Sequence, residues 1–385
     1  MPLKIGKPFF DRRPYLDLLM PTLYFAVTNH GFGHATRSAA LAAEISRCCQ
    51  AANIPLRLIM ATKAPKWLLD TYLKEPYEHR MVSYDTGVLQ SDSLTMDKAA
   101  TLAAVQAIRA NEGRLITEES AFLKAQRVDL VLADIPPLIA KISTAAEVPC
   151  WMISNFGWDF IYRDWVDEYV GFEAIADWIA DCFSYANRTF RLPFHEPMAA
   201  LPNQIDVGLT GGTPAYRADH LRALMRSDIP SERTVLLTFG GMGVAKTPYE
   251  ALADFPDWQF VTFDQSGATL PNLYRVNDHT MRPVDWMVVC DRVFSKPGYS
   301  TFSEACLLDK GIITITRNDF AEAHYLLEGI QDHARHQIMS THTFLEGDWS
   351  CITDDLQPPR KETKLDKEGK DAIATAVMTY LSKIK

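Results

Sequence analysis

Two histidines flank a glycine-rich loop near the start of the chain, in the segment His30-Gly31-Phe32-Gly33-His34. The apolar run 23–27 before the loop predicts a strand, and the alanine-rich segment 35–49 after it predicts a helix. A histidine with a pKa near ~6.5 accepts a proton from a hydroxyl group at neutral pH. His34, at the start of the helix, is therefore the first candidate for a general base, and His30 is the second. Helix capping or packing by His34 is the alternative.

Asp134 ends a second apolar run, 130–133, and precedes two prolines. In a parallel sheet this position lies at the carboxyl edge, which is where ligands bind in such folds. A carboxylate there can hold the ring N–H of a histidine and stabilise the imidazolium. Capping of the following helix is the equally open alternative.

Three polar or aromatic residues, Asn155, Trp158 and Asp159, follow the predicted strand 150–154. An aromatic ring covers the apolar face of a sugar, and a carboxylate binds its hydroxyls. These residues are therefore candidates for an acceptor side of the site, although packing of Trp158 in the core is the more common outcome for a tryptophan.

Glycine turns follow two strands in the second half of the chain. Gly240 and Gly241 end the run 235–239, and Lys296 and Gly298 follow the run 292–294. Glycines let the backbone approach a ligand closely, and a lysine adds positive charge. This pattern is typical of a loop that binds phosphate.

Ser300, Thr301 and Glu304 stand at the start of the helix that follows Gly298. Hydroxyl groups and free N–H groups at a helix N-terminus bind phosphate, and the helix dipole favours the anion. For Glu304 the alternative is dipole stabilisation or a capping box with Thr301. Asp319 and Glu322 follow the next strand, 312–316, and are suited to ribose or sugar hydroxyls, although Asp319 could equally be a solvated surface residue.

A chain of 385 residues exceeds what one core usually organises, so two domains are expected. Strands that alternate with helices and read as continuous apolar runs predict an α/β fold with parallel, doubly wound sheets. The predicted divisions are an N-terminal extension at 1–20, an N-terminal domain at 21–195, a linker at 196–214, a C-terminal domain at 215–360, and a tail and helix at 361–385.

The net charge of −9 argues against binding to nucleic acid or to anionic lipid, so small-molecule partners are expected. No apolar run reaches the ~18–20 residues of a membrane span. The seven cysteines include no CxxC pair, which indicates neither a disulfide framework nor a zinc site and favours the cytoplasm. The sequence contains no convincing DxD motif, so we expect no required metal. No cofactor is expected either.

These residues together resemble the GT-B glycosyltransferases, which have two Rossmann-like domains facing across a cleft. In the plant UDP-glycosyltransferases a Gly-His pair supplies the base and a later Asp orients it, and Gly33-His34 and Asp134 match that pattern. Gly298 and Glu304 keep the six-residue interval of the family's nucleotide-sugar signature, and Gly311 and Glu322 keep its eleven-residue interval. Two departures are Lys296, where the signature has His, and Ala323, where it has Gln. The bacterial GlcNAc-transferase of peptidoglycan synthesis is similar at the same level.

A resemblance that covers nearly the whole chain after residue 20 is to the glycosyltransferase-like N-terminal half of plant L-arabinokinases and their bacterial relatives. The sugar-kinase half of those proteins has no counterpart in the sequence. The segments that carry the resemblance are 27–37, 154–162, 239–241 and 296–305.

These resemblances imply an inverting, metal-independent glycosyltransferase that moves a sugar from a nucleoside-diphosphate sugar, with UDP as the expected nucleotide, to an acceptor hydroxyl. His34 would be the base and Asp134 its partner. Glu304 would bind ribose, and Glu322 or Asp319 would bind the donor sugar. The alternatives are a nucleotide-sugar 2-epimerase of the same fold and a non-catalytic nucleotide-sugar-binding protein.

Overall fold

The computed structural model describes residues 20–241, 243–244 and 247–384. Met20 is thus the one residue of the predicted extension that falls within the described part. The strands are Thr22–Val27 (β1), Arg57–Ala61 (β2), Glu78–Arg80 (β3), Leu130–Asp134 (β4), Cys150–Ser154 (β5), Arg188–Arg191 (β6), Gln204–Asp206 (β7), Thr234–Leu237 (β8), Gln259–Thr262 (β9), Leu273–Arg275 (β10), Arg292–Ser295 (β11), Gly311–Ile315 (β12) and His336–Met339 (β13).

Helices cover both faces of the strands. They are Gly33–Ala51 (α1), Lys66–Tyr72 (α2), Lys98–Ala110 (α3), Glu112–Ala125 (α4), Leu138–Ala146 (α5), Trp158–Arg163 (α6), Gly171–Ser184 (α7), Ala218–Met225 (α8), Pro283–Trp286 (α9), Tyr299–Leu307 (α10), Glu322–His333 (α11), Thr341–Glu346 (α12) and Gly369–Leu381 (α13). Within the described residues, no helix is long and apolar enough to cross a bilayer.

The strands form two parallel sheets, one in each half of the chain. The first has the order β3-β2-β1-β4-β5-β6-β7 and the second the order β10-β9-β8-β11-β12-β13. Central strands such as β1 and β4 are buried throughout, because helices cover both of their faces. This is the α/β, doubly wound architecture that the sequence predicts.

Each sheet has one place where the strand order reverses, between β1 and β4 in the first and between β8 and β11 in the second. Loops diverge at such a point and leave a crevice at the carboxyl ends of the strands. The loop at 28–32 and Asp134 lie at the first crevice, and the loops at 240–241 and 296–298 lie at the second. The topology therefore gathers most of the predicted residues at two facing edges.

Two elements differ from the sequence prediction. The segment 99–126 reads as one helix, but the structure has two, α3 and α4, which meet at Asn111. The Asn111 side chain donates to the carbonyl of Ala107 at 2.8 Å, and a glycine follows at position 113, so the sequence offers a break that its helical periodicity conceals.

The segment 196–214, predicted as a linker, contributes β7, which pairs with β6 at the edge of the first sheet. Flanking prolines and a length of three residues hide this strand in the sequence. The final helix, α13, returns to the first domain: Tyr380 packs edge-on against Trp151, with ring centroids 5.2 Å apart. The last segment of the chain is thus part of the N-terminal domain's core.

Candidate active site

A cavity of about 670 Å³ lies between the carboxyl edges of the two sheets. The first domain lines it with the loop 30–34 and with Trp67 and Tyr72. The second domain lines it with 239–241, 296–301 and further residues of the loops after β9 and β12. Loops that follow strands of both sheets therefore enclose one shared cleft.

His34 and Asp134 meet at the first wall of this cleft. Nδ1 of His34 lies 2.7 Å from Oδ1 of Asp134, and both side chains are buried. The pKa of Asp134 is held well below its usual range by the charges of Arg37 and His34, which outweigh its burial. Asp134 is therefore a carboxylate that accepts the Nδ1–H of His34, and this leaves Nε2 as the basic nitrogen. No residue in the described part of the chain hydrogen-bonds Nε2.

Arg37 completes this network and was not identified as a site residue from the sequence. It donates from Nε and from Nη2 to the two oxygens of Asp134, each at 2.6 Å, and from Nη1 to Oδ1 of Asn155 at 3.2 Å. Ser38 adds a hydrogen bond from its hydroxyl to Asp134 at 2.9 Å. A guanidinium that donates to both oxygens of a carboxylate fixes the orientation of the carboxylate as well as its position. The Asp134 side chain is therefore held in one arrangement. The i, i+3 spacing from His34 is the signal that places Arg37 on the same helix face.

His30 lies beside His34, with ring centroids 6.2 Å apart. It packs edge-on against Trp158 at 5.2 Å and stacks on Phe320 of the second domain at 5.9 Å. Burial, together with the nearby charge of His34, lowers the pKa of His30 well below its ordinary value. The ring therefore stays neutral at physiological pH, and the backbone N–H of Val88 donates to its Nδ1 at 3.2 Å.

The glycine turn after β8 brings the two domains into contact. Gly240 has a positive φ of 87°, which favours glycine. A Cβ at Gly241 would lie 2.0 Å from the ring of Phe32, so a larger residue at this position requires that ring to move. Gly298 has ordinary extended geometry and lines the cavity immediately before α10.

Ser300 and Thr301 lie in the first turn of α10 and line the cavity. The hydroxyl of Ser300 donates to the carbonyl of Gly33 at 2.9 Å, so it joins the two domains at the N-terminus of α1. A side chain at Gly33 would crowd this hydroxyl, since a Cβ there would lie 3.2 Å from it. The side chain of Thr301 makes no hydrogen bond to any described residue.

Glu304 lies on the next turn of α10 and faces the cavity beside the segment that joins the two sheets. Its Oε1 accepts the backbone N–H of Gly212 at 2.9 Å. A Cβ at Gly212 would lie 3.0 Å from Oε1 and 2.7 Å from the ring of Tyr72, so the small residue permits this contact. Burial raises the pKa of Glu304 to about 7, against a smaller opposing effect of the Gly212 hydrogen bond and of Arg282.

Glu322 lines the cavity at the start of α11, and Asp319 does not. Asn155 donates from Nδ2 to Oε1 of Glu322 at 2.8 Å, so Glu322 is linked across the cleft to the network of Arg37. Asp319 is exposed, and its backbone carbonyl accepts the indole N–H of Trp165 at 3.2 Å. The structure therefore brings Glu322 into the site and places Asp319 on the surface beside it.

The three residues predicted for the acceptor side lie behind the cleft wall. Asn155 is completely buried, Trp158 is 1% exposed, and neither lines the cavity. The indole N–H of Trp158 donates to the hydroxyl of Thr28 at 3.1 Å, and its ring packs edge-on against Phe156. Asp159 lies in the first turn of α6, away from the cavity lining. Trp158 is thus a core residue, as expected for a large aromatic side chain.

Lys296 and Arg317 supply the positive charge of the second wall. Lys296 follows β11, Arg317 follows β12, and both line the cavity. Burial and the nearby charge of Arg317 lower the pKa of Lys296 to about 7. Arg317 carried no assigned role in the sequence analysis, because a single arginine after a strand gives no pattern. Among the described residues, no group of three His, Cys, Asp or Glu side chains is arranged to hold a metal ion.

Comparison with known proteins defines the fold. No protein-family model matches the sequence. The chain is 27% identical to L-arabinokinase from Arabidopsis thaliana over 336 residues, which are 85% of this chain and 31% of that protein. It therefore spans less than a third of the length of the relative that it matches.

Solved structures of glycosyltransferases superpose on almost the whole chain. The calicheamicin glycosyltransferase CalG4 matches with a TM-score of 0.58 and 15% identity, covering 95% of this chain and 99% of that one. Arabidopsis thaliana UGT89C1, solved in complex with UDP-L-rhamnose, matches with a TM-score of 0.59 and 11% identity, covering 95% and 98%. The glycosyltransferase VinC, solved with dTDP, matches with a TM-score of 0.52 and 13% identity, covering 94% and 95%. The chain therefore has the GT-B glycosyltransferase fold, with two Rossmann-like halves.

Proposed function

We propose that this protein is an inverting glycosyltransferase that moves a sugar from a nucleoside-diphosphate sugar, with UDP as the first choice of nucleotide, to an acceptor hydroxyl without a metal ion or other cofactor. The observation that carries the proposal is His34, which lines the cavity opposite the cationic wall formed by Lys296 and Arg317 and is held from behind by Asp134 at 2.7 Å. A base on one wall and an anion site on the other are the two components that this reaction needs.

His34 performs the proton transfer in this scheme. The acceptor hydroxyl lies against Nε2 and transfers its proton there as its oxygen attacks the anomeric carbon. The bond from that carbon to the phosphate oxygen breaks on the opposite face, and its electron pair leaves with the diphosphate, so the configuration inverts. Asp134 stabilises the imidazolium that forms, and Arg37 keeps Asp134 charged and in place.

Residues of the second domain hold the donor. Glu304 has one oxygen on Gly212 and the other available to ribose hydroxyls, and Glu322 is placed for hydroxyls of the transferred sugar. The N-terminus of α10, with Thr301 and Lys296, binds the diphosphate. Ser300 contributes through the contact between the domains, since its hydroxyl already donates to Gly33.

The acceptor enters beside His30 in this proposal. The neutral ring of His30 and the face of Phe320 give that side of the cavity an apolar, aromatic surface next to the base. Asn155, Trp158 and Asp159 support this surface from behind. The acceptor is a hydroxyl-bearing small molecule or lipid.

The proposal also places the protein in the cytoplasm. Cys150, Cys182 and Cys290 are buried free thiols, and burial raises their pKa values, which keeps them unreactive. Such thiols persist in a reducing compartment. Fractionation of cells that express a tagged full chain tests this placement.

The experiment is release of the nucleoside diphosphate from UDP- and GDP-sugars, with and without an acceptor panel and with EDTA present. A transferase releases the diphosphate only with an acceptor, and EDTA does not change the rate. A 2-epimerase consumes UDP-sugar without an acceptor, and a binding protein releases nothing. His34→Ala is expected to slow release by ~10²–10⁴-fold while donor affinity stays within about twofold, and unchanged release by that variant would refute the base assignment.

A further inference from the structure

Residues 85–97, between β3 and α3, form a strap that runs from the loop at His30 to the second domain. Near its start, the backbone N–H of Val88 donates to Nδ1 of His30 at 3.2 Å. At its tip, the backbone N–H of Ser93 donates to the carbonyl of Gly243 at 3.0 Å. One end of the strap is therefore fixed to the base loop, and the other is fixed to the glycine turn after β8.

The strap also has hydrogen bonds of its own that hold its shape. Gln90 and Met96 face each other in an antiparallel bridge. One carboxylate oxygen of Asp92 accepts the backbone N–H groups of Leu94 and Thr95, at 2.8 and 2.9 Å. The turn at 91–95 is thus closed by Asp92, and this determines where the backbone of Gln90 lies.

The side chain of Gln90 reaches the cavity with an unused hydrogen-bond donor. Outside the loop 30–34 and helices α1 and α2, Gln90 and Ser93 are the described residues of the first domain that line the cavity. The Nε2 atom of Gln90 is buried and has no hydrogen-bond partner among the described residues. Buried polar groups are nearly always hydrogen-bonded, so an unpaired amide at a cavity indicates that a ligand supplies the acceptor.

The neighbours of Gln90 show which part of a donor lies beneath it. Val88, two residues earlier, is bonded to the loop of the base. On the other side, a Cβ at Gly240 would lie 3.4 Å from the hydroxyl of Ser93 and 3.3 Å from Cε of Lys296. Gln90 therefore lies between the base loop and the cation of the second wall. In the proposed reaction, the group between these two is the transferred sugar.

The chemistry of a primary amide suits a sugar hydroxyl. The Nε2 group of a glutamine has two N–H donors, and a hydroxyl oxygen has lone pairs that accept them. A sugar with hydrogen in place of that hydroxyl offers no acceptor and leaves the buried donor unpaired. A site of this kind rejects the analogue that lacks the hydroxyl.

We propose that Gln90 binds a hydroxyl group of the transferred sugar from the first domain, and that it selects donors that carry this hydroxyl over the corresponding deoxy sugars. The inference rests on the proposed function and names a residue that determines its sugar specificity.

The test is calorimetry on the full-length protein and on Gln90→Met, which keeps the length of the side chain and removes the amide. The ligands are UDP, the tighter-binding of UDP-glucose and UDP-galactose, and analogues of that donor that each lack one hydroxyl. Gln90→Met should weaken binding of the UDP-sugar by about 3- to 10-fold, the range of one neutral hydrogen bond, and change UDP binding by less than about twofold.

The deoxy analogues identify the contact directly. One of them should bind the unmodified protein more weakly than the parent donor by the same factor, and Gln90→Met should bind that analogue and the parent equally. If every analogue loses the same factor in Gln90→Met as the parent donor does, the contact is not to a sugar hydroxyl and the inference is overturned.

Gln331→Met is the matched control. Gln331 is also partly buried, but its Nε2 donates to the carbonyl of Leu327 at 3.0 Å and it does not line the cavity. This variant should bind UDP and the UDP-sugar as the unmodified protein does.

Thermal unfolding without ligand separates sugar binding from a structural role of the strap. Gln90→Met removes no hydrogen bond of Nε2, so its melting temperature should equal or exceed that of the unmodified protein. A lowered melting temperature together with equal losses of UDP and UDP-sugar affinity would show that Gln90 only holds the strap in place, and would overturn the inference.

Two outcomes distinguish this inference from the proposed function. Unchanged affinity for the UDP-sugar in Gln90→Met, in a protein that transfers sugar, overturns the role of Gln90 and leaves the transferase proposal standing. A loss that is coupled to one hydroxyl, in a protein that transfers nothing, supports the contact between Gln90 and the sugar and refutes the transfer reaction.

Discussion

The two walls of the cleft differ in how their charges are satisfied. On the first wall, Asp134 accepts hydrogen bonds of 2.6 to 2.9 Å from His34, Arg37 and Ser38, so its charge is fully partnered. On the second wall, Lys296 and Arg317 have no hydrogen-bond or ion-pair partner among the described residues. The first wall is organised in the absence of any ligand, whereas the second reaches electrostatic balance when an anion binds. In the proposed scheme, the first wall is the proton-transfer side and the second wall is the side that binds the donor.

The largest expected effect on stability comes from removing the guanidinium of Arg37 from the first wall. Arg37→Gln leaves Asp134 buried without its cation, which should lower the free energy of unfolding by ~3–5 kcal/mol. Urea denaturation measures this. The matched control is Arg114→Gln, whose ion pair with Glu118 is more than half exposed and should contribute only ~0.3–0.5 kcal/mol. A loss below ~1 kcal/mol for Arg37→Gln would show that the network is not the fixed element described above.

A smaller effect is expected at the hydrogen bond that joins the two walls. Asn155 donates to Glu322 and accepts from Arg37, so Asn155→Ala leaves Oε1 of Glu322 and Nη1 of Arg37 without their hydrogen bonds and should lower the free energy of unfolding by ~1–3 kcal/mol. Asn111→Ala, at the exposed junction of α3 and α4, should stay within ~0.5 kcal/mol. Equal effects in the two variants would mean that the walls are not coupled through Asn155.

Lys296 on the second wall should make the affinity for the donor depend on pH. The pKa of Lys296 is lowered to about 7, and bound diphosphate favours the ammonium form, so binding takes up a proton above pH 7. Affinity for UDP-glucose should therefore fall as pH rises, by about tenfold between pH 7 and 8.5, since one proton changes affinity at most tenfold per pH unit. The control is Lys296→Arg, which keeps a positive charge at this position. The other charged or titratable groups that face the amine are unchanged in it, namely Arg317, Glu322 and His30. Calorimetry of that variant should give a flatter profile, and an unaltered slope would contradict the assignment.

Glu304 should give an effect on the pH dependence of stability rather than on binding. Burial raises its pKa to about 7, so the folded protein favours the neutral acid. That contribution is present below about pH 4.5 and is lost as pH rises through 7. Glu304→Gln retains an oxygen for the Gly212 N–H, so its stability should fall by ~2–3 kcal/mol less than that of the unmodified protein between pH 5 and 8. Parallel curves from thermal melts at both pH values would contradict this.

The sequence predicts the partnered wall better than the unpartnered one. Continuous apolar runs predict the central strands, and the residues just after them must meet at the sheet edges, so the pattern predicts that His34 and Asp134 lie at one edge, while the resemblance supplies the roles. Arg37 gains its role from a partner 97 residues away, and its i, i+3 spacing from His34 indicates only that the two share a helix face. The isolation of Arg317 is visible only in three dimensions, because it depends on the absence of neighbours. Helix α6 buries Trp158 behind the wall, and that outcome follows from packing rather than from spacing.

Turnover of a UDP-sugar at saturating donor, measured for His34→Ala beside its UDP affinity, tests the central claim most directly. A general base contributes ~10²–10⁴-fold to rate, so turnover should fall by that factor while UDP affinity stays within about twofold, because the donor contacts the other wall. Loss of UDP affinity in His34→Ala, or turnover that remains near the unmodified rate, would contradict the division of the cleft into a proton-transfer wall and a donor wall.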